Sequence, residues 1–94
     1  MSTESKRYSI VVMGRVQGVG YRFFTKETAD RYGISGWVRN CFNGDVEIEA
    51  QAHRELLNQF IKELKKGPPT GNVAEIHTRE IEVVDKEQLF KITF

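Results

Sequence analysis

The alternation of apolar and polar residues divides the chain into short segments of changing period. Residues 8–13 (YSIVVM) are apolar and rich in β-branched side chains, as in a central strand. Gly14, Gly18 and Gly20 then interrupt any regular pattern. From Tyr21 the period becomes helical. Tyr21, Phe24, Thr28, Ala29 and Tyr32 form one stripe, and Gly33 can end the helix in a left-handed conformation. Residues 37–42 read as a strand, and Asn43-Gly44 is a hairpin signal because both residues tolerate positive φ. Val46, Ile48, Ala50 and Ala52 alternate with Glu47, Glu49 and Gln51, which predicts a half-buried strand with one wet face.

A second helix is predicted over 53–66. Its stripe is Leu56, Leu57, Phe60, Ile61 and Leu64, and Gly67-Pro68-Pro69 stops it. Residues 74–84 read as a long strand whose alternation slips. Ile76 and Thr78 set one phase, Ile81 and Val83 the other, so a bulge is expected near Arg79 and Glu80. Phe90, Ile92 and Phe94 make a short final strand. The order β-α-β-β-α-β with an extra terminal strand predicts the α+β class. The expected architecture is a ferredoxin-like two-layer sandwich, an antiparallel sheet with two helices on one face. Both βα connections are long enough for right-handed crossovers. Residues 7–94 are expected to form one domain behind a short, polar, frayed start at 1–6.

Composition excludes several function classes. The net charge of +1, from 14 Lys and Arg against 13 Asp and Glu, argues against a nucleic-acid partner held by bulk charge. The lone Cys41 allows no internal disulfide and no CxxC metal motif, and neither His53 nor His77 has ligand spacing around it. A zinc site of the CxxC type is therefore excluded, and no cofactor is expected. No apolar run approaches the ~20 residues that cross a bilayer, and no signal-peptide core precedes the first strand. The expectation is a cytoplasmic monomer without a membrane partner.

The stretch Gly14-Arg15-Val16-Gln17-Gly18-Val19-Gly20-Tyr21-Arg22 carries the candidate chemistry. It lies between a central strand and a helix start, where unpaired backbone N–H groups and the positive end of the helix dipole gather. Such a place suits an anion. The glycines let the backbone curl and let a ligand approach without meeting a Cβ. Arg22 enters the first helical turn with a planar fork that holds two phosphate oxygens at once. The spacing fits neither nucleotide P-loop pattern. On spacing alone, a second reading stays open, in which the glycines serve only a tight strand-to-helix turn.

The run VVMGRVQGVGYRFF resembles the acylphosphatase signature, a strand leading into G-x-V-Q-G-V-G-[FY]-R-x-F. Gly36-Trp37-Val38-Arg39-Asn40, followed by Asn43-Gly44 and VEIEAQ, resembles the family's second signature. The resemblance runs from Arg7 to Phe94, with both motifs in the expected order. Ala52 stands where many members have glycine, outside both motifs. The resemblance implies hydrolysis of a small acyl phosphate at its carboxyl–phosphate bond. It implies that main-chain amides of Arg15, Val16, Gln17, Gly18, Val19, Gly20 and Tyr21 wrap the phosphate. It further implies that Arg22 is the essential phosphate ligand, that Asn40 orients the attacking water, and that no metal or covalent intermediate is used.

These residue types suit that reaction. The carboxylate leaving group places little demand on a general acid. What remains is charge on the phosphoryl oxygens, met by fixed donors, and the placement of one water. Asn40 does not titrate, so its contribution is orientation. Neither residues 14–22 nor residues 36–40 contain His, Asp or Glu, so the water's proton is expected to go to a phosphate oxygen.

Tyr21, Phe23, Phe24, Trp37 and Phe42 are read as core and not as base-stacking platforms. Cys41 is read as an inert thiol. Three other readings are open. An RNA-binding module of this fold needs exposed aromatics on the first and third strands, where the chain offers Ile10, Val12, Val46 and Ile48. A non-catalytic phosphate-binding domain needs the cradle but not Asn40. An excised domain of a larger carbamoyl-transfer protein needs zinc-binding cysteines after the last strand, so a free-standing enzyme is expected.

Overall fold

In the computed structural model, which describes residues 4–94, seven elements follow one another. They are β1 (Ser5–Arg15), α1 (Tyr21–Tyr32), β2 (Ser35–Asn40), β3 (Val46–His53), α2 (Arg54–Lys66), β4 (Asn72–Ile81) and β5 (Phe90–Ile92). The strands form one sheet in the order β4-β1-β3-β2-β5. Neighbours among the first four are antiparallel, and β5 joins β2 in parallel. This is the ferredoxin-like two-layer sandwich, with the sheet made mixed by its fifth strand. The parallel pairing follows from the path. β4 runs down one edge, and residues 82–89 carry the chain to the opposite edge before β5 turns back up.

Alternation decides which face is buried. Ile10 and Val12 of β1, Val38 of β2, and Val46, Ile48 and Ala50 of β3 are all fully buried. Leu57, Phe60 and Leu64 of α2 and Tyr21 and Ala29 of α1 complete the core with them. In α1, Thr25 and Thr28 are buried as well, because each hydroxyl donates to the carbonyl one turn back, at 2.8 Å to Tyr21 and to Phe24. Phe24 and Tyr32 of the predicted stripe are only partly buried. Gly33 ends α1 at φ 67°, and the N–H of Ile34 reaches back to the Ala29 carbonyl at 2.9 Å.

Several bounds, and the place of the bulge, differ from expectation. Ser5 and Lys6, expected in a frayed start, pair with His53 and Ala52. Residues 1–3 of that start lie outside the described residues. β2 stops at Asn40, which pairs with Val46, so residues 41–45 form a longer turn and Phe42 stands in solvent. Residue Val83 lies past the end of β4, exposed. The bulge is not at Arg79 and Glu80, which pair regularly with Ser9 and Tyr8. It lies where Met13 pairs with Glu75 and Gly14 with Val73, leaving Ala74 unmatched. Gly14 sits there at φ 127°, and a Cβ on it would meet the Asn72 carbonyl oxygen at 2.4 Å.

The same alternation corrects one premise about nucleic acid. Ile10, Val12, Val46 and Ile48 face the helices and not the open side. The open side presents Ser9 and Val11 from β1 and Glu47, Glu49 and Gln51 from β3, with acidic side chains where a base-stacking face needs aromatics.

Candidate active site

The connection from β1 to α1 turns its side chains inward and its backbone outward. Val16 is buried, Val19 packs against the core, and Tyr21 is 1% exposed. Tyr21 donates from its hydroxyl to the Leu64 carbonyl at 2.8 Å, tying the start of α1 to the last turn of α2. Burial pushes its phenol well above the ordinary range. Val16 and Tyr21 can therefore meet a ligand only through main-chain atoms. Arg15 ends β1 opposite Asn72, exposed. The Thr70 hydroxyl donates to the Val19 carbonyl at 2.9 Å and fixes the back of the loop.

Gly20 is the N-cap of α1, left-handed at φ 79°, and no side chain caps the helix. The first intrahelical bond runs from the Phe24 N–H to the Gly20 carbonyl at 3.0 Å. The amides of Tyr21, Arg22 and Phe23 thus precede the helical ladder and have no intrahelical acceptor. Gly18 is also left-handed, and a Cβ on Gly18 or Gly20 would have nothing within 4 Å. The outer side of the loop is open where these donors begin, which is the arrangement that accepts an anion.

Arg22 leaves this first turn and rests on the end of the chain. Its guanidinium lies 5.1 Å from the centre of the Phe94 ring, with a long 3.5 Å contact from Nη1 to the Thr93 carbonyl. Thr93 is held in turn by its N–H to the Val38 carbonyl at 2.8 Å. Asn40, the last residue of β2, shares a face with buried Val38, while Trp37 and Arg39 point to the other face as expected. Arg39 stacks on Trp37 at 5.5 Å and donates to Glu47 at 2.7 and 2.9 Å. Its charge is therefore already paired.

A cleft of about 610 Å³ is lined by Gln17, Arg39, Asn40, Cys41, Phe42 and Phe94. It brings Gln17 and Asn40 together, and Phe94 borders it while carrying Arg22 on its ring. Gln17 uses its side chain here. Its Nε2 donates to the carbonyls of Cys41 at 2.7 Å and Asp45 at 2.8 Å. Burial raises the Cys41 thiol above its usual range, so it stays protonated near neutrality. A larger groove of about 780 Å³ lies near Glu4, Glu80, Glu82 and Asp85, and its acidic lining does not suit an anion. Among the described residues, no group of three or more His, Cys, Asp or Glu is gathered that could hold a metal.

Residues 8–92 match the family model for acylphosphatase. The acylphosphatase of Bacillus licheniformis is 43% identical over 88 residues, 94% of this chain and 98% of that one. The chain belongs to the acylphosphatase family. The crystal structure of the acylphosphatase from Bacillus subtilis superposes with a TM-score of 0.91 at 37% identity, covering 95% of this chain and 99% of that one. All of this chain also superposes on 12% of full-length HypF, solved in a phosphate- and nucleotide-bound form, with a TM-score of 0.86 and 31% identity. In this acylphosphatase-family chain, sequence reasoning missed the support that Thr93 and Phe94 give Arg22. It also missed the direction of the Gln17 side chain. An aromatic at position 94 was visible, but nothing in its spacing pairs it with position 22.

Proposed function

We propose that the protein hydrolyses the carboxyl–phosphate bond of acyl phosphates by direct attack of water. The phosphoryl oxygens sit against main-chain amides from Arg15 to Tyr21 and against the Arg22 guanidinium. Asn40 orients the water. The observation that carries this reading is the uncapped start of α1 behind left-handed Gly20, with Arg22 in its first turn. Fixed donors of this kind stabilise developing charge without reorganising. The cleft beside Asn40 holds no His, Asp or Glu, so the water's proton passes to a phosphate oxygen of the substrate. Every group invoked comes from one chain, so a monomer suffices.

Turnover of an aryl acyl phosphate by wild type, Arg22→Ala and Asn40→Ala, with and without chelator, tests this. Wild-type turnover should not change with chelator. Each variant should lose on the order of a hundredfold or more in kcat/KM. Inorganic phosphate should inhibit Arg22→Ala far more weakly, and Asn40→Ala within about twofold of wild type. Phosphate inhibition without wild-type turnover would show a binding domain instead. An enzyme group titrating near neutrality in kcat would remove the proposed proton route.

A further inference from the structure

We propose that Gln17 is a positioning residue that holds Asn40 in register with the phosphate loop; the proposal rests on the reading of Asn40 given above. Gln17 belongs to the loop by its backbone but to the hairpin by its side chain. Its carboxamide nitrogen has two hydrogens, and the two short bonds to the Cys41 and Asp45 carbonyls use both. That nitrogen therefore has no donor left for substrate.

The two acceptors stand on either side of the mouth of the 41–45 turn. The Cys41 N–H closes the mouth by donating to the Asp45 carbonyl at 2.8 Å. Gln17 thus bridges both limbs of the turn one residue beyond Asn40. The turn has internal bonds of its own. Asn43 Oδ1 accepts from the Asp45 N–H at 3.0 Å, and the Gly44 N–H donates to the Cys41 carbonyl at 3.2 Å. These fix its shape but not its place relative to the loop. Phe42 and Asn43 at its tip are exposed and give no packing that would hold it.

Placement matters because two bodies must meet on one phosphorus atom. The loop and Arg22 hold the phosphoryl group, and the hairpin holds the water. A shift near 1 Å between them costs on the order of a hundredfold in rate. The chemistry also dictates the side chain. Glutamate accepts only and would face two carbonyls, leucine offers no donor, and asparagine is one methylene shorter.

The test compares Gln17→Leu and Gln17→Glu with wild type, and crosses each with Asn40→Ala. Gln17→Leu and Gln17→Glu should lower kcat for an aryl acyl phosphate on the order of tenfold or more. For Gln17→Leu, inhibition by inorganic phosphate should stay within about twofold of wild type, because the amides and Arg22 are untouched, whereas the carboxylate of Gln17→Glu repels the anion as well. In the Asn40→Ala background the same changes should cost less than about twofold, since the water is already unheld. Equal losses in both backgrounds, or phosphate affinity falling with kcat in Gln17→Leu, would overturn the proposal.

Amide hydrogen exchange gives a readout independent of turnover. It should accelerate at residues 41–45 in both variants and not in β1. In wild type, the Gln17 side-chain amide hydrogens should exchange more slowly than those of exposed Asn58 and Gln59. Unprotected Gln17 hydrogens would defeat the clamp even if neither variant folds. A wild type without turnover but with these exchange results would defeat the activity and leave the clamp standing.

Discussion

Tyr21 stands beside Arg22 in sequence, yet its phenol points away from the loop to the Leu64 carbonyl. The consequence is a pH dependence of stability. Burial holds the phenol above its ordinary value of 10.0. Below that pH both folded and unfolded chains keep the proton, and the stabilisation is complete. Above it the unfolded chain releases the proton while the folded chain retains it. Stability then falls by up to about 1.4 kcal/mol per pH unit. Tyr21→Phe should cost about 1 kcal/mol at pH 8, where it removes the bond to Leu64. Its stability should fall less steeply above pH 10, so that the two curves converge. Urea midpoints measured between these conditions check both parts, and parallel curves would show the phenol to be solvated. Arg22 and Asn40 were legible because motif and element order place them. The direction of Gln17 was not, because its rotamer is set by carbonyls 24 and 28 residues away.

Elements with one dry face were legible, and the edge strand was not. In β3 Val46, Ile48 and Ala50 are buried and the residues between them are not, so the period of two shows in the sequence. In β4 no residue is fully buried, and its apolar positions carry little information about phase. The slip between Ile76 and Ile81 therefore suggested a bulge that the pairing does not contain. The real irregularity lies where β1 leaves the sheet to enter the loop. Gly14 permits it, with φ at 127° and the Asn72 and Ala74 backbones within 2.6 Å of where a Cβ would stand. Gly14→Ala should destabilise the fold by about 2 kcal/mol or more, from left-handed strain plus displaced backbone. Gly18→Ala has open space and should cost about 1–2 kcal/mol, from strain alone. Urea unfolding of the two variants ranks them. A Gly14→Ala protein as stable as Gly18→Ala would mean that the close approach to β4 relaxes freely.

At the scale of the molecule, residues 82–89 join one edge of the sheet to the other across its open face. Arg7 is the anchor, 2% exposed in the middle of that face. Its guanidinium donates to Glu49 at 2.9 Å, Gln51 at 3.1 Å and Glu87 at 2.7 Å. Gln51 exchanges two further bonds with the backbone of Val84, at 2.9 and 3.0 Å. Nothing in local sequence marks Arg7 as buried, because the segment that covers it arrives 80 residues later. The crossing also matters at the active site, since it delivers β5 and then Thr93 and Phe94 beneath Arg22. Exposed ion pairs contribute little, but this one has a desolvated member. Glu87→Ala should cost about 1–3 kcal/mol, less than full exposure of the charge because Glu49 and Gln51 still hold Arg7. The loss should be local before it is global. Lys86, at φ 67° beside Glu87, is the bond for trypsin to find. Under native conditions, cleavage after Lys86 should accelerate in Glu87→Ala and not in Glu82→Ala, since the Arg7 guanidinium bonds to Glu87, Glu49 and Gln51. Equal cleavage rates in the two variants would show that Arg7 does not fasten the crossing. Faster cleavage accompanied by a weaker grip on inorganic phosphate would show that the crossing, through β5, keeps Arg22 in place.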